Sequence, residues 1–157
     1  MIEQSVLDYS EALKLLGMEH KILEHPHIVN PEEVQNYLGE DVSDCVASLV
    51  MKADDNFIVI LKKGDDRLNF KKIKKALKIG DLRFATKEEF EEITKLPFGA
   101  ARVYIPELQT YIDQRVFSKE YLNGGTGSFT CTFKYKTQDF MRVPNNEVMD
   151  MTEDLQA

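Results

Sequence analysis

Two apolar runs rich in β-branched residues, Cys45-Val46-Ala47-Ser48-Leu49-Val50-Met51-Lys52-Ala53 and Phe57-Ile58-Val59-Ile60-Leu61, are joined by the polar link Asp54-Asp55-Asn56. Runs of this length and composition flanking so short a link predict a β-hairpin with both strands at least half buried. A buried hairpin must be covered on its faces, so the segments before and after it are expected to supply that cover and any pocket walls.

The flanking segments read as follows. Val6, Tyr9, Leu13 and Leu16 recur at helical spacing within Ser5 to Leu16, and Gly17 is a natural stop. Met18 to Glu24 reads as a short strand broken by His25-Pro26-His27. Asn30-Pro31-Glu32-Glu33 predicts a helix start with a capping residue and proline at the first helical position, and Gly39 ends that helix. After the hairpin, Asn69 is placed to cap a helix from Phe70 to Lys78, with Phe70, Ile73 and Leu77 inward and the lysines outward. Leu82 to Ala85 reads as a strand, and Thr86-Lys87-Glu88-Glu89 as a capping box opening a fourth helix. Arg102 to Ile105, Tyr111 to Val116 and Lys119 to Asn123 are expected strands, and Phe129 to Tyr135 alternates apolar and polar residues with period two. A closing helical turn is expected from Thr137 to Val143.

The expected fold class is therefore mixed α/β, with six or seven strands in a mixed sheet rather than a doubly wound parallel one. A chain of 157 residues fits one domain, taken here as 1–143. Residues 144–157, acidic and poor in apolar side chains, are expected to form a flexible tail. No apolar run reaches the roughly 20 residues that span a bilayer, and the N-terminus has no basic stretch followed by an apolar core. The expectation is a cytoplasmic protein without a membrane partner.

Chemistry is harder to read than fold. Cys45 and Cys131 lie in strand patterns far apart and suit reduced core positions. His20, His25 and His27 have no cysteine or carboxylate set that would complete a metal site, and no dinucleotide or P-loop fingerprint is present. Neither a metal nor another cofactor is expected. Gly124-Gly125-Thr126-Gly127 joins two strands and is expected to be a hairpin turn using glycine at positive φ. The net charge of −7 argues against broad nucleic-acid binding, and DNA is not an expected partner. Lys71, Lys72, Lys74 and Lys75 nevertheless form a basic cluster with no glutamate in the same helix. A solvated surface and a phosphate-binding patch stand as equal readings of that cluster.

Taken in order, His25-Pro26, Pro31-Glu32-Glu33-Val34, Gly64-Asp65-Asp66-Arg67-Leu68, Lys71-Lys72, Tyr111-Ile112-Asp113 and Asn123-Gly124-Gly125 form a series running from about Glu19 to Val143. The series resembles the YbaK/EbsC family of aminoacyl-tRNA deacylases, relatives of the editing domain of bacterial prolyl-tRNA synthetase. The resemblance implies a mixed sheet or partial barrel surrounded by helices. It also implies trans-editing: hydrolysis of the ester between a wrong amino acid and the tRNA 3′ end, with the tRNA acceptor end, or a synthetase, as partner. In that family a lysine on the central strand, in a Lys-Thr-Leu-type motif, carries much of the chemistry. Here Ala47 occupies the lysine position and Ser48 the threonine position. The pocket loop keeps Gly99, while Phe98 replaces a usual glycine and Ala101 or Arg102 stands where a proline would be. The implied catalytic groups are Ser48 and Gly125, with Ala47, Gly99, Arg102 and Gly124 lining the substrate site and Arg102 a replacement cation. Lys71, Lys72, Lys74 and Lys75 are the implied tRNA contacts. A second reading of the missing lysine is a catalytically inactive member that binds tRNA, a synthetase or a small ligand.

Overall fold

The computed structural model describes residues 2–28 and 30–154. In chain order the elements are α1 (Gln4–Leu15), β1 (His20–Glu24), α2 (Pro31–Leu38), β2 (Val46–Ala53), β3 (Asn56–Lys63), α3 (Phe70–Leu77), β4 (Leu82–Phe84), α4 (Lys87–Thr94), β5 (Gln109–Asp113), β6 (Tyr121–Gly125), β7 (Cys131–Lys136) and β8 (Asn146–Met149).

The helix ends follow their local chemistry. Asn30 accepts from Glu33 N at 3.1 Å and Asn69 accepts from Lys72 N at 3.1 Å, each satisfying an orphan first-turn donor. Thr86 and Glu89 close a reciprocal capping box at α4. Gly17 and Gly39 leave their helices at positive φ, where a Cβ would be strained.

The central hairpin is tighter than expected. Asn56 belongs to β3 and pairs with Ala53, leaving only Asp54 and Asp55 in the turn. The Asp54 carboxylate anchors that turn by accepting from Gly80 N at 3.1 Å and Asp81 N at 2.9 Å. The hairpin is the middle of a five-stranded sheet ordered β4-β2-β3-β5-β8. β4 and β3 run antiparallel to β2, whereas β5 and β8 continue in parallel. An antiparallel three-stranded sheet, β1-β7-β6, stands against it, and a bridge between Cys45 and Asn123 joins the two. The sheets do not close into a barrel. The eight strands thus divide between two sheets, where the sequence suggested a single sheet of six or seven.

Alternation along the hairpin divides the interior. Val46, Val50, Val59 and Leu61 face the main core with Val6, Tyr9 and Leu13 of α1 and Phe133 and Tyr135 of β7. Met51, Ala53, Ile58 and Ile60 face a second core closed by Ile73 of α3 and by Met151.

Three segments depart from their sequence reading. Residues 102–105 are not a strand: Arg102 makes one bridge to Thr126, and Val103 and Ile105 are buried as single anchors. Gly124 and Gly125 lie within β6, paired with Phe133 and Thr132, and only Gly127 turns at positive φ. Their glycine character is needed for packing, because a Cβ on Gly124 would meet Val46 at 2.9 Å and one on Gly125 would meet Ala101 O at 2.0 Å.

The third departure is the acidic tail, which is structured as far as it is described. Asn146–Met149 forms β8 beside β5, and Met151 is fully buried. Its acids are paired: Asp150 and Asp154 both meet Arg115 and Lys72, at 2.7–3.0 Å. The buried Asp113 carboxylate completes the tether, accepting from Met151 N at 2.7 Å and from the Thr152 hydroxyl at 3.1 Å. Composition pointed to disorder because these partners come from residues far earlier in the chain. Residues 155–157 lie outside the described residues.

Candidate active site

Site geometry begins with an unequal pairing of β2. Its full length, Val46 to Ala53, pairs with β3, but β4 reaches only Met51, Lys52 and Ala53. Ala53 and Asn56 flank a two-residue turn, so odd-numbered residues of β2 exchange backbone hydrogen bonds with β3 and even-numbered ones face away. The contacts agree: Cys45 O accepts from Gly64 N, on the β3 side, and Val50 O accepts from Ala85 N, on the other. Ser48 therefore presents its N–H and C=O along the open edge of the strand. Its hydroxyl is buried without a hydrogen-bond partner among the described residues. A buried polar atom left unpaired is uncommon and costly, and calls for a ligand or a water.

The open edge faces the 97–101 loop, and two hollows lie between them. The larger, about 580 Å³, is lined by Ile28, Asn30, Val42, Cys45, Val46, Ala47, Gly64, Phe98, Gly99 and Phe129. The smaller, about 260 Å³, is lined by Ser48, Leu49, Val50, Phe84, Ala85, Phe90, Phe98, Gly99 and Ala101. Phe98 and Gly99 line both, so the hollows adjoin as one cleft with β2 as its floor. Gly99 sits at φ +89 with open space where a Cβ would be, which bends the loop over the floor. On the opposite wall, Ile28 N donates to Phe129 O at 2.9 Å and His25 Nε2 lies 2.7 Å from the Thr132 hydroxyl. These bonds fasten the His25-Pro26-His27 loop to the start of β7 and deliver Ile28 and Asn30 to the cleft.

Electrostatically the cleft is close to neutral. Cys45 is its titratable lining residue, and burial, reinforced by Glu40, Asp44 and Asp41, pushes its thiol up to about 11. It is therefore a protonated wall group rather than a thiolate nucleophile. No group of three or more potential metal ligands occurs among the described residues.

The structure separates the residues implied by sequence. Ala47 lines the larger hollow and Ser48 the smaller, on opposite faces of β2, and Gly99 lines both. Arg102 lines neither: its guanidinium donates to Thr126 O at 2.7 Å and Ser5 O at 3.2 Å and lies 4.5 Å from the Tyr9 ring centre. It fastens the loop to α1 and to the residue that follows β6, so it cannot serve the cleft as a replacement cation in this arrangement. Gly124 and Gly125 lie behind the cleft, in β6, and let that strand approach Val46 and the 101 carbonyl.

The lysines of α3 lie over the second core, away from the cleft lining. Lys72 is engaged, its ammonium donating to Asp150, Asp154 and Thr152 O at 2.8–3.0 Å. Among the described residues, Lys71, Lys74 and Lys75 form no ion pair. Sequence reasoning missed Asn30, Phe129 and Cys45 as cleft residues. They come from loops or strand ends, and periodicity carries no signal for such positions.

The family description "aminoacyl-tRNA editing domain" matches residues 25–143. The proline–tRNA ligase of Bacillus licheniformis is 32% identical over 127 residues, covering 77% of this chain and 21% of the ligase. That of Caldicellulosiruptor bescii is 29% identical over 130 residues, covering 82% of this chain and 23% of the ligase. The chain thus spans about a fifth of the length of these curated relatives. A crystal structure described as a candidate trans-editing enzyme for prolyl tRNA synthetase superposes with a TM-score of 0.84 at 24% identity, covering 98% of this chain and all of that one. That likeness confirms the mixed α/β fold.

Proposed function

The chain belongs to the aminoacyl-tRNA editing domain family, and from that premise we propose that it is a deacylase that opens the ester of a mischarged aminoacyl-tRNA in the cleft along β2. The observation that carries the proposal is Ser48, whose buried hydroxyl is unpartnered and whose backbone lies on the unpaired edge of the floor strand.

An aminoacyl ester is already activated, so the site has little covalent work to do. It must hold the carbonyl carbon within reach of a water and stabilise the oxyanion that follows. Ser48 supplies two donors at one place, its N–H and its hydroxyl. Gly99 lets the loop close over the aminoacyl group, and the small side chain of Ala47 leaves room beneath it. Gly124, Gly125 and Arg102 act at one remove, fixing the loop and the floor in position. Apolar walls at Ile28, Val42, Phe98 and Phe129 suit a small or apolar aminoacyl side chain.

The tRNA acceptor end is the partner this reading requires, with Lys71, Lys74 and Lys75 as its electrostatic contacts and Lys72 shared with the C-terminal segment. Reversing the three free lysines to glutamate should weaken tRNA binding and reduce its salt dependence by about one unit of slope per lost contact.

The test is deacylation of a panel of mischarged tRNAs by the purified protein. Release of an amino acid from at least one, slowed in Ser48→Ala, is the expected result. Binding without hydrolysis of any member would remove the deacylase claim and leave a tRNA-binding module.

A further inference from the structure

A site that stabilises an oxyanion gains most from a cation, yet no charged side chain lines the cleft. Across the ladder from Ala47 stands Lys62, its Cα partner in the β2–β3 register. Directly paired residues project to the same face with Cβ atoms roughly 5 Å apart. Ala47 ends at Cβ, so the volume above position 47 is left to the longer neighbour. The strands lie about 4.8 Å apart, a distance within the span of the four-carbon stem of lysine.

The Lys62 side chain shares the Ala47 face of the sheet, opposite the Ser48 side chain, and its ammonium lies one carbonyl from the larger hollow. It donates to Gly64 O at 3.1 Å, and Gly64 lines the same hollow as Ala47. That carbonyl is neutral, and no carboxylate lies within ion-pair distance of Lys62 among the described residues, although Asp66, 3.5 Å from Lys63 through one oxygen, keeps its other oxygen buried without a hydrogen-bond partner and acts on Lys62 from a distance. Asp65 pairs with Lys63 at 2.8 Å, and Asp113 is held by Met151 N, Thr152 and Arg115 N. Half-burial pushes the Lys62 ammonium below its ordinary range, partly opposed by Asp66, Asp65 and Asp113 and assisted by Lys63. A cation held by one carbonyl and short of solvent gains from meeting negative charge.

We propose that Lys62 is a catalytic residue of this cleft, its ammonium facing the ester oxygen that becomes negative as the aminoacyl bond is opened. The assignment rests on the deacylase reading. In the step, a water oxygen bonds to the carbonyl carbon and the carbonyl π pair moves onto oxygen, opposite Lys62. When the C=O re-forms, the bond to the ribose oxygen breaks, and that oxygen takes the proton released by the attacking water. The products are a free amino acid and tRNA, and Lys62 keeps its protons throughout.

Two readouts on Lys62→Met and Lys62→Arg test the assignment. In single-turnover deacylation, Lys62→Met is expected to lose on the order of 10²–10³ in rate, as for loss of an oxyanion donor, with Lys62→Arg between it and the unaltered protein. In binding, an anionic phosphonate analogue of aminoacyl-adenosine should lose about tenfold or more in affinity in Lys62→Met, while the neutral amide analogue changes by less than about twofold. Equal losses for both analogues, or none for the phosphonate, would overturn the role of Lys62. If the unaltered protein hydrolyses no mischarged tRNA, the deacylase reading falls, and the phosphonate–amide comparison still decides whether Lys62 faces an oxyanion in this cleft.

Discussion

Replacing Ser48 with alanine should improve the fold and impair the chemistry. The Ser48 hydroxyl is buried with no hydrogen-bond partner among the described residues, so the folded protein carries its desolvation cost uncompensated. An unsatisfied buried polar group costs about 1–3 kcal/mol, and deleting it leaves a methyl group in apolar surroundings. Leu49, Val50, Ala85, Phe90 and Phe98 line the same hollow, so the methyl has apolar neighbours. Ser48→Ala is therefore expected to stabilise the free protein by about 1 kcal/mol, which raises Tm by roughly 2–4 °C for a domain of this size. The same change removes one of the two donors that Ser48 offers to the oxyanion. Since the backbone N–H stays, a rate loss of about 10–100-fold is expected, below the full cost of losing a donor set. Urea unfolding and single-turnover deacylation on one preparation read both signs. A destabilisation beyond about 0.5 kcal/mol would mean the hydroxyl already has a partner in the free protein. A rate equal to that of the unaltered protein would mean it faces no reacting atom. Either result refutes the reasoning.

Met151→Ala should destabilise by about 2–5 kcal/mol in urea unfolding, because a fully buried side chain leaves a cavity beneath α3. Wild-type stability there would mean that the C-terminal segment is not packed as described. Gly125→Ala should unseat the 97–101 loop, since its Cβ would fall 2.0 Å from Ala101 O; a loss of about 2 kcal/mol or more is expected, with a deacylation defect exceeding that of an equally destabilised core variant. A Cys45 thiol titrating near 11 instead of 9.0 holds on the order of a hundredfold less thiolate at pH 8, so iodoacetamide should label it far more slowly than a free thiol, and equal rates would refute the burial. Hydrogen bonding by Arg83 holds the Glu89 carboxyl at about 2, below its unfolded range near 4.3; its support for α4 is present above that unfolded value and lost as pH falls through about 2, so the stability gap between the native protein and Glu89→Gln should close on acidification.

The elements that could be read from the chain are those specified by local chemistry. Asn30, Asn69 and Thr86 each cap the helix that the sequence assigned to them, because capping involves residues within one turn. The glycines of 124–127 misled for the opposite reason. Positive φ is the local explanation for a glycine run, whereas Gly125 is required by a carbonyl from residue 101, which no window along the sequence contains. Arg102 is a similar case. Standing where the resemblance puts a pocket-loop proline, it suggested a replacement cation, but the fold brings Tyr9 and Thr126 to it first. Lys62 was within reach of sequence reasoning. With Asp54 and Asp55 as the turn, Ala53 meets Asn56, and counting outward brings 47 opposite 62. Extending the turn to Asn56 shifts that register by one residue and hides the pair.

The half-paired floor strand explains why a cleft lies there. An open strand edge is a liability, since its backbone groups invite another chain. In this fold β4 covers three residues of β2, and the loop from 97 to 101 stands off the rest, held back by the Arg102–Thr126 bridge and the Gly125 contact. Moving the loop away would uncover the buried Phe90, which Phe98 meets edge to face at 5.6 Å. The cleft therefore persists because the loop is anchored from behind by β6, not because anything fills it from the front. That makes the packing of Gly124 and Gly125 a condition of the cleft even though neither lines it.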